Sequence, residues 1–207
     1  HCFAGSCSSA YFSQLSDCRF MVTRVLSILI FCIVTFVQDA SAQNSKSGLL
    51  RFNAGLAQGF MLAHNSRPLF ADGFAEYFAS EKISIKGSCT QLIADRMEDE
   101  LLKTYTGISF GMAWHAGNDL HDFSLAMQPG VVYQCPGTIY IGFVQKPKLA
   151  PSLMFTATYS LFFSDPFHFY ISISENNSFY RGAPDGNINT SYISITGGLG
   201  WHVRYKK

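Results

Sequence analysis

The chain has 207 residues, of which 48% are hydrophobic and only 14% are charged, and its formal net charge is +1 at pH 7. A chain so nearly neutral offers no basic surface to a polyanion, which excludes nucleic acid as a partner. Beyond residue 43 there is no apolar stretch near the length of about 18 residues that marks a transmembrane helix, so a helical membrane bundle is excluded as well.

The first recognisable element is an export signal at residues 21–42, inside the chain rather than at its first residue. Arg24 supplies the cationic start, an apolar run extends from Val25 to Val37, and the small residues Ala40-Ser41-Ala42 form the end. These are the three parts of a signal peptide. The apolar run is too short to cross a bilayer as a helix, which takes about 20 residues.

This signal predicts how the chain is divided. Cleavage is expected between Ala42 and Gln43, after the small residues. Residues 1–20 are then expected to be an upstream translated segment with no structural role, and residues 43–207 to form one mature domain.

Apolar and polar side chains alternate along the mature domain, which predicts β-strands. Successive side chains of a strand point to opposite faces, so alternation gives one bulky apolar face and one small or polar face. The pattern is clearest in the last segment, SYISITGGLGWHVRY. Pro129 requires a bulge or kink, because proline donates no hydrogen bond to a ladder. The eight predicted strands lie within residues 50–57, 69–79, 82–88, 105–115, 123–134, 152–161, 167–174 and 191–205.

The links between these segments alternate between compact turns and long loops. Short turns at one rim and long loops at the other are typical of an antiparallel up-and-down barrel in an outer membrane. The sequence therefore predicts an all-β, eight-stranded transmembrane barrel. The compact turns are at residues 80–82, 115–121 and 163–166, the long loops are at 94–103, 135–148 and 181–189, and the link at 64–68 is intermediate.

The composition of the two faces predicts which one meets lipid. Gly, Ser, Thr and Ala dominate the polar face, and small residues suit the crowded interior of an eight-stranded barrel, which side chains fill. Aromatic residues near strand ends predict two interfacial girdles at headgroup depth. The girdle residues are Trp114, Tyr159, Phe167, Trp201 and Tyr205 near the turns, and Tyr105 and Tyr133 near the long loops.

Charged residues inside the predicted strands have mixed signs and fall mostly on the polar face. A lipid-facing Arg or Lys would cost about 2–4 kcal/mol at the bilayer midplane, whereas an interior one can pair with a carboxylate. In residues 69–79 the acids share a face with phenylalanines, so the sequence does not predict which face of that strand points inward. The sequence predicts a charge network in the lumen formed by Arg51, Asp72, Glu76, Lys82 and Lys86.

Three segments resemble a known family. GFAEYFASEKISIKGS (73–88), LAMQPGVV (125–132) and GGLGWHVRY (197–205) are similar to the small outer-membrane β-barrel proteins of Gram-negative bacteria, the OmpA/OmpX-like group. The resemblance extends from Gly48 to Tyr205. It implies a location in the outer membrane, contact with outer-membrane lipids and with the barrel-insertion machinery, and surface ligands or proteins bound through the long loops.

The sequence predicts no enzyme, metal site or cofactor. It contains no nucleotide loop or nucleophile elbow and no histidine or cysteine cluster with metal spacing. His168, Ser172 and Glu175 form the nearest hydrolytic trio, but a strand sends Glu175 to the opposite face. Cys89 and Cys135 could form one bridge or remain two free thiols.

The predicted function is therefore that of a barrel with a filled lumen that forms no open pore. Its role would be structural, or would consist of interactions at the cell surface. One alternative is a soluble exported barrel of the lipocalin type with an apolar ligand inside. A less favoured one is a lipid-modifying barrel enzyme.

Overall fold

The computed structural model of the chain describes residues 46–95, 101–137, 146–183 and 186–204. The predicted signal at 21–42, the segment before it and the cut at Ala42–Gln43 lie outside these ranges. No helix in the described ranges is long and apolar enough to span a membrane. The strands are β1 (Leu49–Met61), β2 (Pro68–Phe78), β3 (Ile83–Asp95), β4 (Leu102–Gly117), β5 (His121–Pro136), β6 (Lys148–Ser164), β7 (Phe167–Ala183), β8 (Gly186–Asn189) and β9 (Tyr192–Arg204).

Eight long strands form a closed antiparallel wall. Each of the strands β1 to β6 pairs with the strand that follows it along the chain. The wall closes because β9 pairs with both β7 and β1. The short β8 pairs with the far end of β7 alone and extends beyond the wall as a hairpin. The prediction of an eight-stranded up-and-down barrel is confirmed.

The polar face of the wall is inside and the bulky apolar face is outside. On β7, Ile171 is 52% exposed and its neighbour Ser172 is 3% exposed. On β9, Ile195 is 45% exposed and Ser194 is 5% exposed. A barrel that held an apolar ligand in water would have the reverse arrangement, so the lipocalin-like alternative is wrong about the faces.

Strand β2 is the exception to an inner face made of small side chains. Phe70, Phe74 and Phe78 all point inward and are buried, on the same face as Asp72 and Glu76. Pairing with β1 fixes this face, because Glu76 lies opposite an inward-facing arginine of β1 in the ladder. The lumen therefore contains large aromatic rings as well as polar groups.

The two ends of the barrel differ in their connections. At one end, here called the turn end, the links are residues 79–82, 118–120 and 165–166. At the other, here called the loop end, they are residues 62–67, 96–101, 137–147 and 184–191. Parts of the last three loops, at 96–100, 138–145 and 184–185, lie outside the described ranges.

A close approach of two strands accommodates Pro129. Paired positions on β4 stop at Ser109 and resume at Met112 in the same register, so the ladder skips the region opposite the proline without a bulge. A Cβ built on Gly111 would lie 2.0 Å from the carbonyl oxygen of Met127. Only glycine permits the β4 and β5 backbones to come this close.

We expect Gly111→Ala to destabilise the folded barrel by about 1–3 kcal/mol, as overpacking does. The obstacle is a backbone carbonyl in a ladder, which cannot swing aside as a side-chain tip can. Gly87→Ala is the matched control, since its Cβ would meet nothing nearer than a ring atom of Phe110 at 3.6 Å. Urea unfolding of the refolded protein in lipid would test this, and equal stabilities for the two variants would contradict the explanation.

Candidate functional site

The turn end of the lumen contains a cluster of buried charges centred on Arg51. The Arg51 Nε donates to Glu76 Oε2, and Nη1 lies 3.1 Å from Asp122 Oδ2 and 3.1 Å from Ser160 Oγ. The side chains of Arg51, Glu76 and Asp122 have no exposed surface. Because they come from β1, β2 and β5, the guanidinium ties together three strands of the wall.

His115 of β4 bridges the two carboxylates of this cluster. Its Nδ1 is 3.0 Å from Asp122 Oδ2 and its Nε2 is 3.0 Å from Glu76 Oε1. The Ser84 hydroxyl donates to Glu76, and Lys46 Nζ lies 2.7 Å from the other oxygen of Asp122. We call Lys46, Arg51, Glu76, His115 and Asp122 the turn-end ion cluster.

Farther into the lumen, one cation and one acid are held by uncharged groups. Lys86 Nζ donates to Thr158 Oγ1 at 3.2 Å and lies 3.7 Å above the centre of the Phe74 ring. Asp72 accepts a hydrogen bond from Thr90 at 2.8 Å. The ring offers its negative face to the ammonium group, which partly replaces a paired carboxylate.

Aromatic rings fill the loop end of the lumen. Phe70 stacks on Tyr192 with 4.8 Å between ring centroids and lies 5.5 Å from Tyr105, whose ring meets Tyr192 edge-on at 5.6 Å. Asn176 donates to the Tyr105 hydroxyl at 3.0 Å. We call Phe70, Tyr105 and Tyr192 the loop-end aromatic cluster. The buried apolar side chains around it are Ala57, Met61, Leu101, Leu102, Val132 and Ala150.

Four of the five residues predicted for the lumen charge network lie on the inner face. Arg51, Glu76 and Lys86 are fully buried, and Asp72 is half-buried. Lys82 does not join them. Strand β3 begins only at Ile83, so Lys82 lies in the preceding turn and is exposed.

Sequence reasoning missed three members of the ion cluster, Lys46, His115 and Asp122. None of the three was among the residues predicted for the lumen charge network. Asp122 precedes the predicted strand by one residue and has the inward parity of Ser124, so extending the alternation by one position would have found it. Its contact with Arg51 spans 71 residues of chain and depends on closure of the barrel.

Most predicted girdle residues lie on the outer surface, and one prediction is wrong. Tyr105 is fully buried in the lumen, because it shares the parity of the inward-facing Ser109 on β4. Tyr205 lies outside the described ranges. The outward girdle residues, between 40% and 47% exposed, are Trp114, Tyr133, Tyr159, Phe167 and Trp201.

In the part of the chain that the structure describes, the hydrolytic trio and the cysteines form neither a catalytic triad nor a disulfide. His168 and Ser172 are buried in the lumen, whereas Glu175 is exposed on the outer face. Cys89 is exposed and Cys135 is buried, and neither forms a disulfide. Across the described ranges, no group of three or more His, Cys, Asp or Glu side chains is arranged to hold a metal ion.

Three solved structures have a similar fold. Neisserial surface protein A matches with a TM-score of 0.55 and 9% identity, over 79% of this chain and 100% of that one. OprG from Pseudomonas aeruginosa matches with a TM-score of 0.52 and 8% identity, over 80% and 100% of the two chains. The N-terminal β-barrel domain of OprF from Pseudomonas aeruginosa matches with a TM-score of 0.51 and 14% identity, over 77% and 100%.

Sequence comparison adds no relative, since no protein-family model and no curated protein sequence matches the chain. At identities of 8–14% the structural likenesses establish the fold alone. The closed antiparallel wall and its apolar outer belt define the class, an eight-stranded barrel of the outer-membrane type. The resemblance drawn from the sequence is confirmed at the level of the fold.

Proposed function

We propose that this chain is an integral outer-membrane protein with a closed lumen, whose role is structural or is to present surface loops to ligands. It is proposed to be neither an open pore nor an enzyme. The observation that supports closure most directly is that buried side chains occupy the lumen at both ends. The turn-end ion cluster lies at one end and the loop-end aromatic cluster at the other.

The two clusters oppose ion passage by different means. An ion entering at the loop end would have to displace packed rings, and Phe70 there has no exposed surface. An ion entering at the turn end would have to separate Arg51 from two carboxylates that are themselves buried. Breaking such a pair leaves an uncompensated charge away from water, which costs several kcal/mol.

The surface-interaction role rests on the loop end. The links at 96–101, 137–147 and 184–191 belong to this end, and Lys146, Lys148 and Arg181 at their bases are exposed. Lys148 Nζ donates to the Arg181 carbonyl oxygen at 2.9 Å, which joins the bases of the second and third loops. At the start of the first loop, the Ser66 hydroxyl donates to the Asp95 carboxylate and lies 2.7 Å from both of its oxygens. Loops anchored in this way would present a defined surface to a ligand.

Ion conductance of the purified protein in planar lipid bilayers tests the closed lumen. Insertion is verified separately by heat-modifiable mobility on a gel and by retention in the membrane fraction after a high-salt wash. The expected result is inserted protein without stepwise currents. Currents that increase in proportion to the amount of inserted protein would contradict a closed lumen, and release as a soluble species would contradict membrane integration.

A further inference from the structure

Two buried histidines meet inside the turn end on neighbouring strands. His168 of β7 pairs with Gly200 of β9, so His202 is its diagonal neighbour on the inner face. The two Nδ1 atoms are 3.4 Å apart, and the residues are 0% and 5% exposed. The ring of Phe162 stacks on His168 and meets His202 edge-on, which limits the motion of both imidazoles.

This separation suits two ligands of one metal ion. Nitrogen ligands lie about 2.0–2.1 Å from a zinc ion, and at a tetrahedral angle this puts two of them about 3.3–3.4 Å apart. Imidazole nitrogen is a preferred ligand of zinc, copper and nickel. The two Nδ1 atoms therefore face each other at the distance that a shared ion would require.

The far side of the His202 ring is held as it would be in a metal site. His202 Nε2 is 3.0 Å from Asp165 Oδ1, a carboxylate–histidine contact of the kind that orients metal-binding imidazoles. His168 Nε2 and the Asn53 amide are both buried, and neither has a hydrogen-bond partner in the described part of the chain. A Cβ on Gly200 would lie 1.8 Å from Asn53 Oδ1 and 2.5 Å from His168 Nε2, so glycine makes room for both groups.

We propose that His168 and His202 form a two-imidazole site for a divalent transition-metal ion such as Zn²⁺, Ni²⁺ or Cu²⁺. Solvent would complete the coordination, and Asp165 orients the His202 ring. A shallow cavity at the turn end is lined in part by His202 and Phe162. Lys46 also lines this cavity, but its charge is paired with Asp122 at 2.7 Å.

A bound ion would link β7 to β9, the strand that closes the barrel against β1. The ion would bind whether or not the lumen conducts ions. Sequence spacing gives no sign of it, because 34 residues separate the two histidines and only strand pairing brings them together. With two protein ligands rather than three or four, its affinity is expected to be lower than that of a structural zinc site.

The test is a calorimetric titration, in which ZnCl₂ or NiCl₂ is added to the refolded, untagged barrel in detergent. We expect one ion per barrel. His168→Phe and His202→Phe should each lower the affinity by at least about tenfold, and Asp165→Asn by about tenfold, as loss of an orienting partner does. His121→Phe is the matched control and should leave the affinity unchanged, because His121 bonds to Tyr159 elsewhere on this rim.

Electron paramagnetic resonance of the wild-type barrel loaded with one equivalent of Cu²⁺ tests the site without any variant. Hyperfine splitting from two imidazole nitrogens is the expected result. Coupling to fewer than two nitrogens would overturn the proposal, as would affinity that survives in the folded His168→Phe/His202→Phe double variant. Heat-modifiable gel mobility shows which variants are folded.

Discussion

Replacing Arg51 with alanine is expected to destabilise the barrel by about 3–5 kcal/mol, the range for removing one partner of a buried ion pair. The guanidinium is the group that Glu76 and Asp122 share, and both carboxylates have no exposed surface. Without it they lose their central cation and remain in a lumen that water cannot easily enter. Urea unfolding of the protein in lipid vesicles, followed by tryptophan fluorescence, measures the loss.

Two further variants separate the charge effect from a general effect of mutation. Lys82→Ala removes an exposed cation at the same end of the barrel and should change stability by no more than about 0.5 kcal/mol. Arg51→Ala/Glu76→Ala should cost less than the sum of the two single changes, because residues that share a network are coupled. Simple additivity, or a loss for Arg51→Ala no greater than that for Lys82→Ala, would contradict the proposed role of the ion cluster.

Phe70→Ala is expected to cost about 3–5 kcal/mol, the usual range for truncating a buried phenylalanine. Phe70 has no exposed surface and contacts both other rings of the loop-end aromatic cluster. Its removal leaves a cavity that the rigid wall of the barrel cannot collapse to fill. The same unfolding experiment applies.

Phe169→Ala is the matched control for this prediction. Phe169 is 54% exposed on the outer face of β7, where mobile lipid chains can occupy the space that its ring leaves. The loss of stability should therefore be clearly smaller than for Phe70→Ala. Equal losses, or a larger one for Phe169→Ala, would show that the aromatic cluster is not a packed core of the lumen.

The fold was predictable because strand alternation is a local property. The immediate neighbours of a residue such as Ile171 or Ser172 indicate which face of the sheet it lies on. Eight alternating segments joined by short and long links in turn favour one topology. The inner face of strand β2 could not be predicted from this local property. Its inner face combines Phe70, Phe74 and Phe78 with two acids, so hydrophobicity alone does not separate inside from outside.

The lumen clusters were only partly predictable, because they form between strands that are distant in sequence. Mixed charges on the polar face predicted one lumen network that contains Arg51 and Glu76, but no local signal connects Arg51 with Asp122 of β5. Tyr105 was misplaced because its position near a strand end suggested an interfacial ring. The parity of its strand, which directs it inward, is the stronger physical constraint.

The orientation of the apolar face toward lipid is tested most directly with the native tryptophans. The chain has two, Trp114 and Trp201, and both lie on the outer face near the turn end, 46% and 47% exposed. In bilayers of phospholipids brominated at defined depths, both should be quenched, and bromine near the headgroup should quench more strongly than bromine near the chain end. Fluorescence that no brominated lipid quenches would contradict a barrel with its apolar belt in the membrane.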